Sequence, residues 1–148
     1  MLQLTENELV SLRGLVQSLK EGGSDNRGLC SAVERFVHRF NEETGINVQV
    51  TADSDLIVSD RLAAEVFQLV AEALSNIRRH TQATEAFISM ICRNHHFILQ
   101  VWNKRGEGVL ATNFRPRSIC ERSESLGGQC RVLQSKDGST HLHISIPL

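Results

Sequence analysis

Residues 61–80, RLAAEVFQLVAEALSNIRRH, read as one long helix with a broad apolar face. At about 100° per residue, Leu62, Val66, Leu69, Val70, Ala73, Leu74 and Ile77 fill a single arc. Such a helix must lie on another layer, because an apolar stripe left in water is not stable. The sequence supplies a sheet for it. Ile46, Val48 and Val50 alternate with polar residues, the period of a half-buried strand. Two strand-like runs follow the helix, Ala86–Cys92 and Phe97–Trp102, joined by the hairpin candidate Arg93-Asn94-His95-His96. Two more close the chain, Cys130–Ser135 and His141–Leu148, around a Lys-Asp-Gly turn. In the last, Leu142, Ile144, Ile146 and Leu148 share one face, and His141, His143 and Ser145 share the other, expected to meet solvent. Hairpins imply a mixed, mostly antiparallel sheet, since parallel neighbours need long crossovers.

Three further helical patterns flank these strands. Residues 6–20 carry Leu9, Leu12, Val16 and Leu19 on one stripe. The Gly-rich stretch EGGSDNRG, 21–28, separates them from a helix over 29–43, with Leu29, Val33, Phe36, Val37 and Phe40 on one face and Gly45 as its stop. Pro116 suits the first turn of a short helix over 116–126, which Gly127-Gly128 ends. Ser59 or Asp60 is the N-cap candidate for the long helix. The expected fold is therefore α+β: a two-layer α/β sandwich of about five strands, with the helices at 29–43, 61–80 and 116–126 on one face.

Composition excludes several alternatives. The 148 residues make about one domain, enough for a core without disulfides. Sixteen Lys+Arg against seventeen Asp+Glu give a net charge of −1, which argues against a dedicated nucleic-acid or polybasic membrane binder. No apolar run reaches the roughly 20 residues needed to span a bilayer. The first residues lack the basic flank and apolar stretch of a signal peptide. A cytoplasmic domain is expected. Cys30, Cys92, Cys120 and Cys130 are scattered, without the close ligand pairs of a zinc site, and are expected to be buried reduced thiols.

The long helix also carries a polar ladder. Glu72, Asn76 and His80 are spaced i, i+4, i+8 along the boundary between core and solvent. An ordinary polar edge is the plainer reading of that spacing. The other reading is an oxygen-rich lip for a hydrated magnesium ion, which takes a few protein oxygens plus waters and phosphates.

The local string AEALSNIRRH, 71–80, resembles the N-box of sensor histidine kinases: a Glu, an Asn four residues on, then a basic residue and His. RGLCSAVERFVHRFNEETGINVQV resembles the segment entering the ATP-binding domain of NarX/DesK-type kinases, and ERSESLGGQCRVLQSKDGSTHLHISIPL resembles that family's closing segment. The resemblance covers residues 6 to 148 in order. It implies the ATP-binding (HATPase, GHKL superfamily) domain of a two-component sensor histidine kinase, with the Bergerat-type sandwich. It implies that residues 1–22 end a helical dimerisation region and that 23–148 form the ATP-binding domain. ATP and Mg2+ are the implied cofactors. Glu72 would handle the attacking or metal-bound group and Asn76 would ligate magnesium. Arg79 would sit near the phosphates with His80 beside it, and Thr140 would lie near the adenine. The implied partners are a response regulator and the kinase's own dimerisation domain, in a homodimer whose membrane anchor, if any, lies outside this chain; no nucleic acid is implied.

The chain departs from the family pattern at the glycine boxes. The family grips adenine with Asp-x-Gly-x-Gly after a strand; this chain has VWNKRGEGVL at 101–110. With Asn103 at the Asp position, Arg105 and Glu107 replace the glycines. With Gly106 and Gly108 kept, Lys104 replaces the Asp. Asn103 can accept a hydrogen bond without charge, whereas Lys104 cannot accept one. The second glycine box corresponds to ATNFRPRSICER, which has no glycine; Asn113, Arg115 and Pro116 stand there. Backbone approach to phosphate is thereby obstructed, although Arg115 and Arg117 could offer charge. Of the six histidines, none is followed by Asp or Glu as the phosphoacceptor is. The sequence thus supports two functions: a catalytic-type kinase domain with a weakened nucleotide site, or a non-catalytic, pseudokinase-like interaction module of the same fold.

Overall fold

The computed structural model describes residues 27–53, 56, 58–104, 116–134 and 139–148. The helical expectation over 6–20, the loop glycines Gly106 and Gly108, and the Lys-Asp-Gly turn lie outside the described residues. Eight elements run in the order α1 (Arg27–Thr44), β1 (Asn47–Ala52), α2 (Asp60–His80), β2 (Glu85–Arg93), β3 (His96–Asn103), α3 (Arg117–Ser125), β4 (Gln129–Gln134) and β5 (Thr140–Pro147). The five strands form one sheet in the order β1-β2-β3-β5-β4. β1 and β2 pair in parallel, because α2 crosses between them, and the remaining pairs are antiparallel. The mixed two-layer α+β architecture agrees with the pattern of the sequence.

Alternation decides which face of the sheet is covered. Along β3, Phe97, Leu99, Val101 and Asn103 are buried, while Ile98, Gln100 and Trp102 are half-buried on the opposite face. Ala86, Ile88 and Met90 of β2 and Leu142, Ile144 and Ile146 of β5 join the covered face. α2 lays Val66, Leu69, Val70 and Leu74 against that face, all fully buried. Each such side chain stabilises the fold by about 1.5–3 kcal/mol through burial. α1 docks beside α2, where Phe36 meets Phe67 edge-on at 5.4 Å between ring centres. The start of α2 is fixed by Ser59, whose hydroxyl accepts from the Leu62 amide at 3.1 Å.

Turn chemistry sets the register. Asn94 and His95 both have positive φ, 50° and 61°, as a two-residue hairpin turn requires. α3 ends in a Schellman motif: the Gly127 amide donates to the Glu124 carbonyl and the Gly128 amide to the Ser123 carbonyl, both at 2.9 Å. Gly127 has φ +79°. A Cβ at Gly128 would run into the Ser145 carbonyl, so glycine brings α3 directly onto β5. On the open face of the sheet, Phe87 stacks on Trp102 at 5.3 Å and Trp102 packs against His141 at 5.6 Å. His141 is therefore half-buried rather than solvated. Its desolvation, with His143 nearby, lowers its pKa below the usual imidazole value.

The cysteines correct one expectation. Cys30 and Cys92 are half-buried, and burial with Glu34 nearby pushes the Cys30 thiol up, away from reactivity. Cys120 and Cys130, expected as reduced thiols, instead form a disulfide between α3 and β4, with Cα atoms 5.1 Å apart. Spacing in sequence could not show this, because the Schellman turn at 126–128 folds the two positions together. A cross-link over a ten-residue separation stabilises by about 3 kcal/mol in the chain-entropy model. Adding a strong thiol reductant is expected to lower the melting temperature by roughly 6–12 °C. The Cys120→Ser/Cys130→Ser protein should start at the lower value and not respond, as differential scanning calorimetry would show.

Candidate functional site

The C-terminal half of α2 faces the ends of β3 and β5 across a narrow cleft. Ala73, Asn76 and Ile77 come from α2, Val101 and Asn103 from β3, and Thr140 and Leu142 from β5. Pro116 and Ile119 at the start of α3 close one side, and Gln134 of β4 closes another. Three positions singled out in the sequence, Asn76, Asn103 and Thr140, therefore meet in one place although they lie on three separate elements. The cavity that they bound is about 60 Å³. That holds about two waters, and it is well short of the roughly 300–1,000 Å³ of a small-molecule pocket. A wider, open groove of about 850 Å³ lies at the other end of α2, between Leu62, Leu126 and Pro147, but none of the singled-out positions lines it.

Burial is unusual along the polar ladder. Glu72 is 7% exposed and Asn76 8% exposed. The helical period places Glu72 at the solvent boundary; α3 packs over it and buries it. Glu72 Oε1 and Asn76 Oδ1, one helical turn apart, have no hydrogen-bond partner among the described residues. Buried polar atoms are normally satisfied, so two such oxygens on one helix face ask for an explanation. They suit a hard divalent cation, which takes oxygen donors from few side chains. Among the described residues, no group of three or more His, Cys, Asp or Glu side chains could hold a metal. A magnesium ion here would thus take only a few protein oxygens.

Other expected site residues lie elsewhere. Arg79 is exposed, and its Nε and Nη2 donate to Ser75 Oγ at 3.3 and 3.0 Å. His80 is half-buried at the end of α2, and neither residue lines the cavity. Asn103 is 5% exposed and ends β3, whereas Lys104 beyond it is exposed. Arg117 is exposed on α3. One group next to the site is not singled out in the sequence. Arg122 of α3 reaches α2, with Nη1 3.6 Å from Glu65 Oε2 and Nε 4.0 Å from Glu72 Oε2.

Comparison with known proteins agrees with this fold. No family model matches the chain. Among curated proteins, the chain is 24% identical to the sensor histidine kinase LiaS of Bacillus subtilis over 93% of its own length and 39% of the relative's. It is 25% identical to the histidine-protein kinase/phosphatase DegS of Brevibacillus brevis over 99% of its own length and 39% of the relative's. The chain thus spans about two-fifths of the curated relatives that it matches. Among solved structures, the histidine kinase domain of a blue-light activated kinase of Erythrobacter litoralis superposes with a TM-score of 0.69 at 21% identity, covering 94% of this chain and 72% of that one. The kinase AdeS of Acinetobacter baumannii gives 0.64 at 14% identity, covering 95% and 77%.

This chain has the fold of a histidine kinase catalytic domain. The curated relatives named above are a sensor histidine kinase and a signal transduction histidine-protein kinase/phosphatase. α2 is the helix bearing the N-box-like string, and Asn76, Asn103 and Thr140 line the cleft beside it. Among the described residues, no helix is long and apolar enough to cross a membrane.

Proposed function

We propose that residues 23–148 are the ATP-binding, catalytic-type domain of a sensor histidine kinase, with nucleotide affinity reduced by the residue at Asn103. The observation that carries the reading is the convergence of Asn76, Asn103 and Thr140 on one cleft beside two orphaned buried oxygens. Glu72 and Asn76 would face the metal, which would supply charge neutralisation for the phosphates. Thr140 and Asn103 would face the adenine end, and Arg79 with His80 would stand outside at the phosphate end. The buried placement of Asn103 favours the register in which it occupies the adenine-binding carboxylate's position, with Arg105 and Glu107 in place of glycines.

Residues 1–22 would be the end of the dimerisation region, and the whole protein a cytoplasmic-facing homodimer that acts on a response regulator. The pseudokinase-like reading, in which the fold works through protein contacts alone, draws on the same Asn103. Calorimetric titration with a non-hydrolysable ATP analogue and magnesium separates the two. The expected dissociation constant is above about 1 mM, a binding free energy weaker than roughly 4 kcal/mol. Micromolar binding that disappears in Asn76→Ala would replace this reading with a fully competent kinase domain. Magnesium-dependent binding in the millimolar range supports it. No binding even in Asn103→Asp favours the interaction module.

A further inference from the structure

We propose that Arg122 is a positioning residue for Glu72: its guanidinium holds Oε2 of that carboxylate and leaves Oε1 for a ligand, one turn before Asn76 Oδ1. The proposal rests on the reading of the cleft given above. Glu65 and Glu72 are seven residues apart, so both carboxylates stand on one face of α2. Arg122 enters between them from α3, at 3.6 Å from Glu65 and 4.0 Å from Glu72. The two carboxylates are not equivalent. The Glu65 side chain is 33% exposed, so water shares its charge, whereas that of Glu72 is 8% exposed. A buried carboxylate needs a countercharge, and among the described residues Arg122 is the cation beside it.

The Arg122 Nε atom is itself buried and has no hydrogen-bond partner among the described residues. The Arg122 Nε donor and Glu72 Oε2 thus face each other slightly beyond hydrogen-bonding range, in a setting where the donor lacks another partner among the described residues. An arginine fork is suited to this role, because Nε and Nη project in fixed directions and can engage two carboxylates at once. A lysine would supply the charge without the fixed directions. Helix α3 is also firmly anchored around this arginine. The Cys120–Cys130 disulfide lies two residues before Arg122, and the Schellman turn lies just after it.

The test reads Glu72 directly, without any ligand. Three-bond couplings across its side-chain torsions are measured by NMR in the unmodified chain and in Arg122→Gln, Arg122→Lys and Glu65→Gln. One rotamer is expected in the unmodified chain and in Glu65→Gln, where Arg122 turns wholly to Glu72. Arg122→Gln should average the couplings over at least two rotamers while the backbone amide shifts of α2 hold, which a merely structural role would not produce. Arg122→Lys should also average them, and it decides the matter if the Gln variant does not fold. A single unchanged rotamer in the Arg122 variants, or averaging in Glu65→Gln, overturns the proposal. In a separate arm, a manganese-loaded ATP analogue is titrated while the Asn76 side-chain amide is watched. About tenfold more analogue should be needed for equal broadening in Arg122→Gln, with metal-free nucleotide binding unaltered. No broadening in the unmodified chain or in Asn103→Asp counts against the cleft reading alone, since the rotamer result stands without it.

Discussion

Asn103→Asp is expected to make the free protein less stable and its nucleotide binding stronger, at the same position and by opposite effects. Asn103 is 5% exposed at the end of β3, so a carboxylate there loses most of its hydration. The adjacent cation, Lys104, is exposed to solvent. An unpaired buried charge of this kind costs on the order of 3 kcal/mol. The melting temperature of the free variant should fall by roughly 6–12 °C. An adenine amino group would donate to that carboxylate, replacing a neutral hydrogen bond by a charge-assisted one. The gain is the difference between the two kinds of bond, about 1–1.5 kcal/mol, roughly 5- to 13-fold in affinity. Nucleotide at ten times the dissociation constant then raises stability by about 1.4 kcal/mol. Thermal unfolding with and without ATP analogue and magnesium therefore gives a signature: little shift for the unmodified chain, and a lower but nucleotide-responsive melting point for the variant. Arg105→Gly and Glu107→Gly, which restore the glycines of the family pattern, should strengthen the response when added to Asn103→Asp. A variant that melts lower and ignores nucleotide would remove Asn103 from the adenine site.

Much of this fold is legible in the sequence because local chemistry and tertiary packing agree. The alternation in β3 and β5, the Ser59 cap and the Gly127-Gly128 stop each predict a feature that the structure contains. What is not legible is what one element does to another. Alternation is the same in parallel and antiparallel strands, so the parallel β1–β2 pair follows only from the α2 crossover. A helical wheel sees one helix at a time, so it puts Glu72 at the solvent boundary when α3 in fact covers it. The pairing of Cys120 with Cys130 and the reach of Arg122 have the same origin, since both depend on where α3 lies. The two registers open for the adenine carboxylate separate once β3 is seen to bury Asn103 and expose Lys104. That separation supports the reduced-affinity reading without testing it.

Asn76→Leu is expected to stabilise the protein, the reverse of most substitutions in a buried helix. Asn76 is 8% exposed, and its Oδ1 accepts no hydrogen bond from any described residue. An acceptor stripped of water and left unpaired costs about 1–3 kcal/mol, and an apolar group of similar shape removes that cost. Leucine branches at the same carbon as asparagine, and the neighbouring cavity of about 60 Å³ gives its extra volume room. Ala73, Ile77 and Leu142 provide apolar surroundings. The melting temperature should therefore rise by about 2–10 °C. The same change removes one of the two oxygens that would face a metal, so magnesium-dependent nucleotide binding should vanish even in the Asn103→Asp background. A residue that lowers stability in place and is needed only when ligand is present is expected of a binding site, where evolution keeps the unpaired group for what it later holds. If Asn76→Leu instead melts several degrees lower, Asn76 serves the fold rather than a ligand, and the N-box reading of α2 loses its main physical support.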